Sequence, residues 1–300
     1  MIDIIITSYN EPKATLRAVN AFLDQKIKED FRIIVADPFP EVESFLREHI
    51  KSPNLYFFLD PGEGKSYALN LLFQEYGSND TDDLFILTDG DVYVSNNTVS
   101  QIRSSFKDGK VGCVTGHPIS LDSIQEKYGF WQHIAFSGID RTRKRLSQTN
   151  QFLECSGYLF AIRKGIISDF PLETSEDSII PYLFWKKGYA TRYLDKVEVY
   201  VKNPSNWRDW VNQKVRNIKG HENLTKLAPD MPRTKSLFNE IKEGGLYALS
   251  FPQTPRQWLW LAELYAARLF IYAKAFYERK GKNYEDGWRE TEIQSTKPLD

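Results

Sequence analysis

Two aspartates separated by one glycine close an apolar run in LFILTDGDVYV, residues 84–94. Asp89 and Asp91 would offer hard oxygen ligands to Mg2+ or Mn2+, with the shell completed by phosphate oxygens of a bound substrate. The bland alternative is an Asp-Gly turn in which Gly90 simply reverses the chain. Spacing does not decide between them, because DTD at 80–82 repeats the pattern in the polar stretch GSNDTDD. Position separates the two, since only Asp89 and Asp91 end a run with the character of a buried strand.

Three further stretches carry chemistry-bearing side chains. DPGEGKS at 60–66 follows an apolar run and precedes a helix-like one, so Lys65 would stand at a helix N-terminus, a ready site for a diphosphate. It is not a Walker A loop, because Leu59 occupies the place of the first required glycine. In ETSEDSII, Glu173, Glu176 and Asp177 cluster ahead of an apolar helix, either as capping and dipole complementarity or as a carboxylate that takes a proton from an attacking hydroxyl. In NQKVRNIKG, Gln213 and Arg216 share a helix face with Lys219 one turn on, a pattern that surface ion pairs explain equally well. RTRKRL at 141–146 reads as a solvated helix face.

What positions these residues is an alternation. Apolar runs at 4–6, 33–35, 56–59 and 84–87 are each followed by polar turn residues and a helix-like segment, which predicts a mainly parallel sheet flanked by helices. Ligands sit outside the carboxyl ends of such strands. Those ends read TSYNEP, ADPFP, DPGEGKS and TDGD, so four loops rich in carboxylate, hydroxyl, glycine and lysine should share one rim.

The chain of 300 residues, 41% hydrophobic, is long enough for a sizeable core, and its formal net charge of -1 gives no overall field for nucleic acid, which is not expected as a partner. Cys113 and Cys155 lie among apolar neighbours and read as small hydrophobes, and the four histidines lack zinc-site spacing. MIDIIITSYN has neither the basic region nor the long apolar run of a signal peptide, so the expectation is a cytoplasmic protein. The pattern changes after about residue 230, where prolines at 229, 232, 252 and 255 punctuate the chain. We therefore divide it into a domain over 1–230 and a helical extension with a polar tail over 231–300. Trp258 to Tyr277 predicts a helix with only Glu263, Arg268 and Lys274 as charges, too many for a spanning segment. Its apolar sides call for cover by the chain itself, by a second copy as a homodimer, or by the surface of a membrane, in which case the protein would be peripheral on the cytoplasmic face.

Taken in order, these stretches resemble the family 2 glycosyltransferases. IIITSYNEP is similar to the family's first strand and turn, IIVADP to its nucleotide-reading second strand, GKSYALN to its Gly-Lys-x-x-x-Asn segment and TDGD to its Asp-x-Asp. SED resembles the Thr/Ser-Glu-Asp motif, and QKVRN the Gln-x-x-Arg-Trp motif with Asn217 in place of tryptophan. The resemblance covers about residues 3–220 and implies a GT-A (Rossmann-like) α/β fold, a nucleotide-sugar donor with UDP favoured, and Mg2+ or Mn2+. It implies that Thr7, Tyr9, Glu11 and Asp37 surround the base and ribose, that Lys65 lies near the diphosphate, and that Asp89, Gly90 and Asp91 form the metal and ribose clamp. Asp177 would be the general base with Glu176 beside it, and Gln213 and Arg216 would close over the diphosphate. The activity implied is inverting transfer to a hydroxyl of a growing or lipid-linked glycan. A P-loop-like NTPase and a non-catalytic nucleotide-sugar-binding protein are the rival readings.

Overall fold

In a computed structural model, which describes residues 1–172, 174–232 and 244–278, the chain builds one eight-stranded sheet. The first half is the expected alternation: β1 (Ile2–Thr7), α1 (Pro12–Leu23), β2 (Phe31–Asp37), α2 (Pro40–His49), β3 (Leu55–Leu59), α3 (Lys65–Glu75) and β4 (Leu84–Asp89). Then come β5 (Tyr93–Val94), α4 (Thr98–Ser105), β6 (Val111–Ser120), α5 (Lys127–Gln148), β7 (Leu159–Arg163), α6 (Glu176–Lys186), β8 (Ala190–Val201), α7 (Trp207–Leu227) and α8 (Pro255–Glu278). The strand order is β3-β2-β1-β4-β7-β6-β8-β5.

The register sets the rim. Thr7 lies opposite Ala36 on one side and opposite Asp89 on the other, so β1 and β4 end level and β2 runs one residue further, to Asp37. Strand β7 runs antiparallel between β4 and β6, which brings its start, rather than its end, to the same rim. Thr88 Oγ1 donates to Tyr158 O at 2.7 Å and ties that start in place.

Alternation along each strand divides the core into two layers. Ile2, Ile4 and Ile6 pack with α1, α2 and α4 through Val19, Phe22, Leu46 and Ile102. Ile5, Ile34 and Leu87 pack with α3 and α6 through Leu69, Leu72, Ile179 and Ile180. Both cysteines are free and buried in this second layer, as small hydrophobes, and burial pushes the Cys113 thiol up. A third cluster, Phe130, Trp131, Trp210, Val215, Trp260 and Ile271, joins α5, α7 and α8, with Trp131 Nε1 donating to Trp260 O at 2.7 Å. At the foot of the sheet, away from the rim, the fully buried Asp3 accepts from Lys164 Nζ and from Arg32 Nε, the latter at 2.6 Å.

Two boundaries differ from the pattern in the sequence. The run SIQEKYGFWQHIAFSGIDRTRKRL from Ser123 reads as helical, yet α5 begins only at Lys127, because Glu126 N donates to Ser123 O in a turn that precedes it. The helix predicted from Trp258 extends to Pro255, whose fixed φ suits a first turn.

Candidate functional site

The rim holds two clusters, one on each face of the sheet. On the α3 side, Lys65 is the first residue of its helix, following Gly64 at φ 103°, a conformation that favours glycine. Lys65 Nζ lies 2.7 Å from Asp89 Oδ1 and 2.6 Å from Glu176 Oε1. Thr7 Oγ1 completes the group with a 3.3 Å bond to Asp89 Oδ1. Burial alone would lower the Lys65 pKa, yet the charges of Asp89 and Glu176 reverse that and raise it. Burial raises Glu176, against the pull of Lys65 and with help from Asp177.

Why two distant segments meet here is visible in the hydrogen bonds. Asn70, one turn and a residue after Lys65, clasps the loop before α6: its Nδ2 donates to Phe170 O at 2.8 Å and its Oδ1 accepts from Phe170 N at 3.0 Å. Ser66 Oγ donates to Thr174 O at 3.3 Å. Cys155 N donates to Asp177 O at 2.8 Å, fixing the α6 N-terminus to the segment that leads into β7. Ser175 precedes α6 without a side-chain cap, and its hydroxyl donates instead to Asp177 Oδ1. The other Asp177 oxygen faces Gly157, where an added Cβ would stand 3.8 Å from Oδ2. Within Cys155–Gly157, the glycine meets the carboxylate, while the cysteine side chain is core. Glu173 lies outside the described residues.

On the other face, Asp37 is fully buried and held by Ser8 Oγ, by Asn10 N at 3.0 Å and by Phe39 N at 2.9 Å. Burial raises its pKa even against these bonds. Tyr9 packs edge-on to Phe39, ring centroids 5.1 Å apart, and Glu11 O caps the first turn of α1 by accepting from Thr15 N at 2.9 Å. Asp60, not singled out in the sequence, is buried beside this group. Its Oδ1 accepts from Gly62 N at 2.9 Å, its Oδ2 has no hydrogen-bond partner among the described residues, and burial with the nearby Asp37 raises its pKa.

Gly90 fits the two faces together. A Cβ there would stand 2.6 Å from Ser8 Cβ, and Gly90 N donates to Thr7 O at 2.8 Å. Asp91 follows, 8% exposed. The twin triplet is set apart, with the Asp82 side chain 77% exposed.

Gln213, on α7, is buried, and no hydrogen bond or ion pair among the described residues joins it or Arg216 to the Lys65 group. Residues the sequence reading missed are Ser8, Asp60, Asn70 and Glu154, the last buried and accepting from Ser178 Oγ. Asn70 was visible as the end of GKSYALN, but its partner loop was not.

Charge decides what this rim can hold. Lys65 is already paired with Asp89 and Glu176, and Asp177 adjoins Glu176, so an anionic diphosphate placed there would meet carboxylates as well as the lysine. Among the described residues no three or more His, Cys, Asp or Glu converge as a cation site. Asp89 and Asp91 suit the arrangement in which protein carboxylates supply part of a Mg2+ shell and substrate phosphates and water the rest.

Residues 3–170 match the family model described as glycosyl transferase family 2. A curated N-acetylglucosaminyltransferase of Rhizobium meliloti (strain 1021) is 22% identical over 245 residues, 72% of this chain and 54% of the relative, so the chain spans about half the length of that relative. The fold is similar to that of the mannosyltransferase PcManGT from Pyrobaculum calidifontis, solved with GDP-Man and Mn2+, at a TM-score of 0.60 and 16% identity over 93% of this chain and 78% of that one. It is similar also to residues 1–349 of S. aureus TarS, solved with UDP-GlcNAc, at a TM-score of 0.50 and 13% identity over 100% of this chain and 99% of that one.

Proposed function

This chain belongs to glycosyl transferase family 2, and we propose on that premise that it is a metal-dependent inverting glycosyltransferase moving a sugar from a nucleoside diphosphate, UDP favoured, to a hydroxyl of a growing or lipid-linked glycan. The observation that carries the reading is the meeting of Lys65 with both Asp89 and Glu176, which joins the donor rim to the N-terminus of α6 and so sets Asp177 beside it.

The roles follow from place and chemistry. The Asp37 and Asp60 carboxyls, with Thr7, Tyr9 and Glu11, line the end that would take base and ribose. Asp89 and Asp91 would hold Mg2+ or Mn2+, which when bound neutralises charge on the departing diphosphate. Asp177 accepts the proton of the attacking hydroxyl, and Gly157, having no side chain to cover that carboxylate, lets the acceptor approach. Glu176 and Lys65 hold each other and orient that carboxylate. Gln213 and Arg216, on α7, would close over the diphosphate. A P-loop reading fits less well, because Lys65 is turned onto carboxylates.

A thermal-shift screen of UDP- and GDP-sugars with and without Mn2+ or Mg2+ tests this. A ligand at 100 times its Kd stabilises the fold by about 2.7 kcal/mol, a shift of several degrees. Stabilisation that needs both nucleotide and metal, with slow release of free sugar, supports the reading. Metal-dependent stabilisation with no hydrolysis or transfer over a donor and acceptor panel would favour a sugar-nucleotide-binding protein, and no stabilisation by any donor would sink both.

A further inference from the structure

Helix α8 spends one apolar side on the fold and leaves a second one open. Trp260, Leu261, Ala267, Ile271 and Ala275 are buried against α5 and α7. On the opposite side Trp258, Leu259, Leu269, Phe270, Phe276 and Tyr277 are 49% to 77% exposed. Every exposed position from 258 to 277 is Trp, Leu, Tyr, Phe or Ala, with no charge or amide among them. At about 100° per residue these positions form a stripe about 140° wide and roughly 30 Å long. The stripe continues onto α7, where the exposed Trp207 ring lies 5.7 Å from Phe270.

The edges of the stripe are basic. Arg256 and Lys274 fall along one edge, Arg268 along the other, and the exposed Arg208 adjoins Trp207. The one acid among the described side chains of α8, Glu263, is 3.0 Å from Lys127. No helix among the described residues is long and apolar enough to cross a membrane.

We infer that this face docks the protein on an anionic lipid surface, with the α8 axis along the membrane plane. Tryptophan and tyrosine favour the boundary between headgroups and acyl chains, and arginine and lysine beside them meet anionic headgroups. Charge separates this occupant from a second copy: a two-fold pairing of the stripe with itself would bring Arg256, Lys274, Arg268 and Arg208 of both copies together, and among the described side chains of α8 the one acid, Glu263, already pairs with Lys127.

Flotation of the full chain with phosphatidylcholine vesicles, with and without phosphatidylglycerol, tests the inference independently of any transfer activity. Binding is expected with the anionic vesicles, falling with added salt. Arg208→Gln with Arg256→Gln should weaken it roughly 30-fold. Leu269→Glu with Phe270→Glu should abolish it while leaving the melting temperature unchanged, since both side chains are already exposed. Absence of flotation on either vesicle would overturn the inference. So would a dimer in sedimentation equilibrium that the Leu269→Glu, Phe270→Glu protein no longer forms, which would make the occupant a second copy.

Discussion

The first residue of α3 and the first residue of α6 are joined: Lys65 Nζ lies 2.6 Å from Glu176 Oε1. A lysine at a helix N-terminus faces the unfavourable end of the dipole, and a glutamate there faces the favourable one. The pair, with Asp89, reverses the penalty on Lys65. Lys65→Met should therefore destabilise the fold by roughly 1–3 kcal/mol, less than a fully buried pair because the site is partly open. It should also push Glu176 further up, since the lysine charge is what opposes burial there. Urea denaturation at pH 5 and pH 8 checks both, and an unchanged midpoint at each would contradict the pair's role.

Asp177→Asn should leave donor-dependent thermal stabilisation intact while transfer falls about 10²–10⁴-fold. Asp91→Asn should do the reverse in the first instance, reducing the stabilisation that depends on metal. Full transfer by the Asp177→Asn protein would remove that residue from the base role.

Asp60 offers a prediction in pH. Its folded pKa is raised by burial, so the folded state holds the proton more tightly than the unfolded one, and stability is lost as pH rises through the folded value. Asp60→Asn should raise the melting temperature at pH 7 and flatten its decline from about pH 4 upward. A lower melting temperature for this variant at neutral pH would mean that the charge is compensated.

Gly90→Ala places a methyl 2.6 Å from Ser8 Cβ, with β1 unable to retreat from its pairing with β4. A cost of about 1–3 kcal/mol is expected, together with weaker donor binding because Ser8 holds Asp37. Calorimetry and a donor titration should move together.

Asn70→Ala removes two bonds to the backbone of Phe170 and leaves the Phe170 N–H without its acceptor, at a cost of about 1–3 kcal/mol. Because that loop leads to Glu176 and Asp177, kcat should fall more than donor affinity. Asn70→Asp, which restores the acceptor alone, should recover part of the loss.

Much of this was legible in the chain. Three of the strands that end on the rim, β1, β2 and β4, are buried runs that end in Thr7, Asp37 and Asp89, whereas β3, which leads to Asp60, is an edge strand with Tyr56 and Leu59 exposed; burial separates Asp89 and Asp91 from the exposed Asp82 as their place after an apolar run implies. The helix over 258–277 is present, and its two apolar sides were implicit in the spacing of its few charges. What the sequence does not carry is long-range. The antiparallel entry of β7 between β4 and β6 follows from sheet pairing, not from any local pattern. Asp60 becomes buried only because β2 and β3 are neighbours, and Asn70 reads as one more helix residue until its partner loop is placed.

The buried group at the foot of the sheet has a consequence at the top. In a strand, a slip of one residue turns every side chain to the opposite face, and a β1 of uniform isoleucines offers little in its apolar pattern to forbid it. Asp3 is the exception: joined to Arg32 on β2 and to Lys164 after β7, it lets β1 sit in one alignment only, because any other would strand a charge in the core. The ion group thus works as a setting pin whose effect is read at the far end of the strand, where it keeps Thr7 beside Asp89 and Ser8 beside Asp37.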